Sequence, residues 1–240
     1  MIIINLLRTV PQAIKARLST ALIFSVLVFA FNTDGPWWSN HDWFTSFQKD
    51  SESLVLGFLL RDSEQDSRSL ALLRTLNGPE SDRVTRTYAA YADDSSVFNS
   101  KDFYIYSGQP SLIGLLYAFP NVILRDVFLL NGQLRLATLR LLSSMGTAAV
   151  VMFIGTKVGD DIGRIWQFVV YAICLASPWF VAHARNLYWS PFLFLLPILV
   201  SFHAFPAAPD SRGNKTRRIL LTLLFLAFTA KMCTGLPYIV

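Results

Sequence analysis

The sequence predicts an all-α, polytopic transmembrane helix bundle with a long external first loop that carries surface helices. Three observations predict it. The 240 residues are 53% hydrophobic and only 15% charged, with a mean hydropathy of +0.42, whereas a soluble domain has about 25% charged residues. Apolar runs recur along the second half of the chain. One long polar segment, from Asp34 to about Gln109, interrupts the pattern just after the first apolar run. Nineteen Phe and six Trp fit rings placed at lipid interfaces.

The elements follow in order. Residues 1–17 (MIIINLLRTVPQAIKAR) form a mixed apolar and basic lead, read as a cytoplasmic amphipathic segment broken at Pro11. Residues 18–33 are the first transmembrane helix. FAFNTDG lacks a small-x-small cleavage site, so the run reads as an anchor and not as a cleaved signal. Residues 34–133 are the external loop. Within it, Ser53–Leu60 and Ser69–Leu76 are apolar pieces too short to span, and suit surface helices lying against the membrane or the helix bundle. Asn77-Gly78-Pro79 breaks the chain.

Ser111–Leu130 is long enough to span but carries Pro120 and Arg125-Asp126. Topology decides its reading. Four later spans are expected, at about 141–157, 163–182, 187–205 and 219–232. If 111–130 lies on the surface or re-enters, the basic stretch with Arg212, Lys215, Arg217 and Arg218 falls inside with the N-terminus. The expected topology is therefore multi-pass with a cytoplasmic N-terminus. The last residues, Leu-Pro-Tyr-Ile-Val, are apolar, and the expectation is a chain whose C-terminal part is missing. Cys174 and Cys233 both lie in apolar runs and make no disulfide framework.

The composition gives no soluble basic domain for nucleic acid. P-loop, GxGxxG, HExxH, paired CxxC and GxSxG signatures are all missing. His41, His183 and His203 are scattered. On this topology three aromatic, polar segments meet at the external face: the long loop, Ser177–Trp189 and Lys231–Tyr238.

The first acids after the first span are Asp50 and Glu52. A carboxylate at a membrane surface beside aromatic rings is partly desolvated, which makes it a better base. The same stretch also reads as the polar start of a surface helix, with Asp50 or Ser51 as N-cap. Arg185 and Lys231 are cations at external ends of spans, where they can neutralise a phosphate or snorkel to headgroups. Arg135 and Arg140, before the second span, face either the same site or the lipid phosphates, and the reading favoured is ordinary interfacial cations.

The order of DSESLVLG (Asp50–Gly57), YIYSGQPSLIGLLYAF (Tyr104–Phe119), ARNLYWSPFLFLLP (Ala184–Pro197) and KMCTGLPYI (Lys231–Ile239) resembles the N-terminal portion of a GT-C class polyprenol-phosphate-dependent membrane glycosyltransferase. That superfamily includes protein mannosyltransferases and lipid A aminoarabinose transferases. The resemblance implies an inverting transferase of the cell envelope, in a bacterial inner (cell) membrane, that moves a sugar from a polyprenyl-phosphate-linked donor to a lipid or glycan acceptor. It implies Asp50 and Glu52 as the first-loop acid. It implies Arg185 and Lys231 at the carrier phosphate and Gln109 at sugar or acceptor. Some members use a divalent metal held by acids. A full member has about twice as many spans. Two other readings compete: a non-catalytic membrane scaffold or transporter subunit, and an O-antigen-polymerase-like enzyme. The span centres are nearly free of charge, which counts against transport.

Overall fold

The computed structural model describes residues 12–33, 41–61, 73–93, 98, 100–106, 112–204, 219, 222 and 223. The described residues are mostly helical. They form α1 (Gln12–Phe31), α2 (His41–Arg61), β1 (Leu73–Leu76), α3 (Glu80–Asp93), β2 (Phe103–Tyr106), α4 (Leu112–Asp126), α5 (Gly132–Ile162), α6 (Arg164–Ala176), α7 (Pro178–Ala184) and α8 (Pro191–Ala204).

α5 is the axis of the fold. Asn131 starts it, its side-chain oxygen accepting from the Leu134 amide, which satisfies one of the free N–H groups of the first turn. Its 31 residues span about 46 Å at 1.5 Å per residue, well beyond the ~30 Å of a bilayer core. The expected second span, 141–157, is the apolar part of this longer helix. Sequence reading started the span at 141 because Arg135 and Arg140 looked like charges outside it. Both instead sit inside the helix with internal partners.

The expected third span, 163–182, is two helices. α6 and α7 meet at Ser177 with a bend of 79°. Pro178 has no N–H to continue the ladder, and the Ser177 hydroxyl accepts from the Phe180 amide to start α7. The expected fourth span, 187–205, begins at Pro191 because residues 185–190 form a buried turn. By length and composition α5 is long and apolar enough to cross a membrane, and α6 with α7 qualifies only if the bent pair counts as one span. α1 and α8 carry shorter apolar stretches, Arg17–Phe31 and Pro191–Ser201. The expected fifth span, 219–232, lies outside the described residues.

The long loop differs most from expectation. Ser53–Leu60 is helical as expected and is the second half of α2, packed against the bundle with Val55, Leu56, Phe58 and Leu59 in the core. Leu73–Leu76, expected as the end of a surface helix, is a strand. It pairs antiparallel with β2, Leu73 opposite Tyr106 and Leu76 opposite Phe103. α2 crosses this ribbon closely at Gly57, where a Cβ would run into the Arg74 carbonyl. α4 packs Ile113, Gly114 and Tyr117 inward while Leu112, Leu115, Leu116 and Phe119 face outward.

Two apolar clusters result. One gathers α2, α4, the first turns of α5 and Leu187–Trp189. The other gathers α1, the middle of α5, α6 and α7 through Leu27, Phe31, Val151, Tyr171 and Val181.

Candidate functional site

α2 has one fixed face and one open face. Gln48 and Glu52 are one helical turn apart and both are buried. Gln48 Nε2 donates to the Ala182 carbonyl, and its own carbonyl accepts from Asn186 Nδ2 at 3.0 Å. Glu52, 1% exposed, gathers donors from three elements. The Tyr88 hydroxyl of α3 donates to Oε2. Arg140 Nε of α5 donates to both carboxylate oxygens at 3.2 Å, and its Nη2 pairs with Oε2. The Leu187 amide donates to Oε1 at 3.3 Å. A buried carboxylate persists only when paired and hydrogen-bonded in this way.

The turn that supplies the Leu187 amide is itself built by its sequence. Asn186 Oδ1 accepts from the amides of Tyr188 at 2.9 Å and Trp189 at 3.2 Å, the local bonding that makes Asn a turn former. Ser190 sits at φ 36°, an uncommon conformation for a residue with a side chain. Its hydroxyl meets both the Leu187 carbonyl and the Tyr117 hydroxyl. Below the turn, Ser143 and Thr147 of α5 donate to the Ala184 carbonyl.

Burial, then the neighbouring Glu52 carboxylate, keeps the Tyr88 phenol protonated far above the ordinary tyrosine range. Burial likewise pushes the Tyr117 phenol up to about 12. Both hydroxyls therefore act as fixed hydrogen-bond partners at neutral pH. Their chemistry here is structural support for the carboxylate and the turn.

Asp50 stands apart. Two residues along a helix is a rotation of about 200°, so Asp50 is exposed on the opposite side of α2 from Glu52. The sequence grouped these two acids as one site, and the helix separates them. Arg185 is half-buried, and its Nη1 donates to the Asn32 carbonyl at 3.4 Å. It stands at the end of α1, one residue from the Asn186 turn. Gln109 and Lys231 lie outside the described residues. Among the described residues no group of three or more His, Cys, Asp or Glu is gathered where it could hold a metal ion, so no residue set is assigned to one.

Sequence reading set Arg140 aside as an interfacial cation and missed Tyr88 altogether. A signal for Arg140 existed: a cation at the edge of an apolar run needs either a headgroup or an internal acid, and Glu52 was the buried acid in need of a cation. Nothing in the spacing marked Tyr88, which reaches Glu52 from 36 residues away. No known protein family, curated protein or solved structure matches this chain.

Proposed function

We propose that the chain is a membrane-embedded glycosyltransferase portion of the GT-C class, acting on a polyprenyl-phosphate-linked sugar at the external face of a bacterial inner membrane. The observation that carries the reading is the split of the first-loop acids. Glu52 is bonded into the core and holds α2 in place, and this leaves Asp50 open on the far side of the same helix. A buried, ion-paired acid is poorly suited to proton transfer, because protonation would release Arg140 into an apolar surround. An exposed acid on a braced helix is suited to it.

In the proposed reaction Asp50 orients the acceptor hydroxyl and takes its proton. The acceptor oxygen attacks the anomeric carbon, the bond from that carbon to the phosphate oxygen breaks, and the polyprenyl phosphate leaves with the electron pair. Arg185 and Lys231 neutralise the phosphate as its charge grows, and Gln109 contacts sugar or acceptor. The membrane setting is supported by surface chemistry. Leu22, Phe29, Phe153, Ile165, Phe168 and Ile173 are all exposed, whereas Ser143, Ser144, Thr147 and Glu52 are buried. This polarity is the reverse of that expected in water.

The test is sugar transfer from membrane lipid-linked donors by the longest form of the protein. Asp50→Asn should lower the rate at least about a hundredfold, the range for removing a general base, with thermal stability unchanged. Glu52→Asp should lose stability and activity together. Normal transfer by Asp50→Asn rejects the mechanism. No transfer by the unaltered protein with any donor favours a scaffold.

A further inference from the structure

Gln48–Ser53 (QKDSES) is the stretch of α2 that carries Asp50, and it holds no apolar residue. Gln48, Ser51, Glu52 and Ser53 are nonetheless buried. Among the described side chains, the apolar cluster takes up α2 only from Leu54 onward. Apolar contact is non-directional, and around Asp50 it does not set how the helix is turned about its axis. Hydrogen bonds, which are directional, join this stretch to residues 182–187 instead. We propose that Gln48 and Asn186 are positioning residues: together they fix the rotation of α2, and with it the direction in which Asp50 faces. The inference rests on the reading of Asp50 as the base.

Gln48 and Glu52 lie only about 40° apart around the helix, and both reach the same short segment. Gln48 Nε2 donates to the Ala182 carbonyl, and the Leu187 amide donates to Glu52 Oε1 at 3.3 Å. Between them, Asn186 Nδ2 donates to the Gln48 carbonyl at 3.0 Å. This last bond ends on the backbone of α2, so it holds the helix itself and not a side-chain rotamer. Asn186 is 1% exposed. Its Oδ1 accepts from the Tyr188 and Trp189 amides, which fixes the plane of the amide and aims Nδ2 at α2. The segment rests in turn on α5, where Ser143 and Thr147 donate to the Ala184 carbonyl. A chain of bonds thus runs from α5 through the turn to α2. Asp50 lies about 200° around the helix from Gln48 and is exposed on the far side. Ser51 and Ser53 flank the buried face, one on each side of Gln48 and Glu52.

The test uses the full chain carrying Cys174→Ala and Cys233→Ala, purified in mild detergent. Single cysteines are introduced by Ser51→Cys, Ser53→Cys or Ala148→Cys, and their labelling by a water-soluble maleimide is timed with and without a second change, Asn186→Asp or Gln48→Met. Asn186→Asp keeps the acceptor for the turn amides and replaces the donor that meets Gln48. Gln48→Met keeps the side-chain length and removes the donor to Ala182. Rotation of α2 in either sense brings position 51 or 53 to solvent. One of these two sites should therefore label about tenfold faster in each variant, the population shift from losing one buried hydrogen bond. Ala148, 0% exposed in the second apolar cluster, should label no faster, because the rest of the fold is intact. In sugar transfer, Asn186→Asp and Gln48→Met should each lower kcat at least about tenfold through misplacement of the base, with KM for the lipid-linked donor unchanged. Unchanged labelling at both 51 and 53, an equal rise at 148, or altered labelling with normal kcat each overturns the proposal. Faster labelling in a chain that transfers no sugar keeps the rotational brace and fails only the reading of Asp50.

Discussion

The two halves of the molecule handle polarity in opposite ways. Around α2, α3 and the 185–190 turn, charge is drawn inward, and Glu52 and Arg140 meet inside a cluster of Val55, Leu56, Tyr91 and Leu139. Around α1, α6 and the later turns of α5, the interior holds no ion pair among the described residues, and the outer faces carry large apolar side chains. In the first half, specific bonds between distant segments fix the arrangement. In the second, close approach of helices does so, as at Gly155, where a Cβ would collide with the Tyr171 ring. The difference teaches that two parts of one helix, α5, can belong to different environments. Its first turns brace a polar assembly and its later turns expose apolar side chains such as Phe153.

The largest effect that would test this contrast is loss of the buried pair. Glu52→Gln leaves the Arg140 charge unpaired in the core, and should cost about 3–5 kcal/mol by chemical denaturation in detergent. Glu52→Gln combined with Arg140→Met should recover a clear part of that loss, because no uncompensated charge remains. Equal losses in the single and double variants would mean that the pair does not organise this half.

A second test is alkaline pH. The Tyr88 and Tyr117 phenols have folded-state values raised above the ordinary ~10 of tyrosine. A raised value means that their contribution is fully present below about pH 10 and is lost as pH rises from there through about 12. Stability against denaturant should therefore fall steeply across that window. In Tyr88→Phe the fall should be shallower, on a baseline lowered by about 1.5–3 kcal/mol for the missing bond to a charged group. An unchanged slope in Tyr88→Phe would place the alkaline loss elsewhere.

The smallest effect belongs to the other half. Phe153 and Phe168 are exposed on α5 and α6, so Phe153→Ala and Phe168→Ala should each change stability in detergent by no more than about 0.5 kcal/mol. A loss of several kcal/mol would mean that protein covers those faces.

Much of this arrangement was legible in the sequence, and what was not has a physical cause. Helical character and the long polar segment follow from periodicity and hydropathy, whereas the breaks at Ser177 and Pro191 fall inside stretches expected as continuous spans. The pairing of Leu73–Leu76 with Phe103–Tyr106 was hidden because four-residue strands give too little alternation to separate from short helical pieces. The site was half legible. Asp50 and Glu52 were singled out as the acids of the loop, and the stretch was read as a helix start, but the helix begins at His41 and both acids lie well inside it. Once His41–Arg61 is a helix, angular spacing alone assigns them to opposite faces. The partners Arg140 and Tyr88 depend on tertiary contacts, 88 and 36 residues distant, which no local pattern encodes.

The bond from the Leu187 amide to Glu52 joins residues 135 apart in the chain. At about 5–20 residues per second of synthesis, α2 waits on the order of ten seconds after its own emergence before that donor exists. During the first part of this interval Glu52 lacks both Arg140 and the turn, and afterwards it still lacks the turn. The first loop is thus an early-made part that is finished late, and a nascent chain halted before residue 187 should leave α2 open to protease while the completed chain protects it.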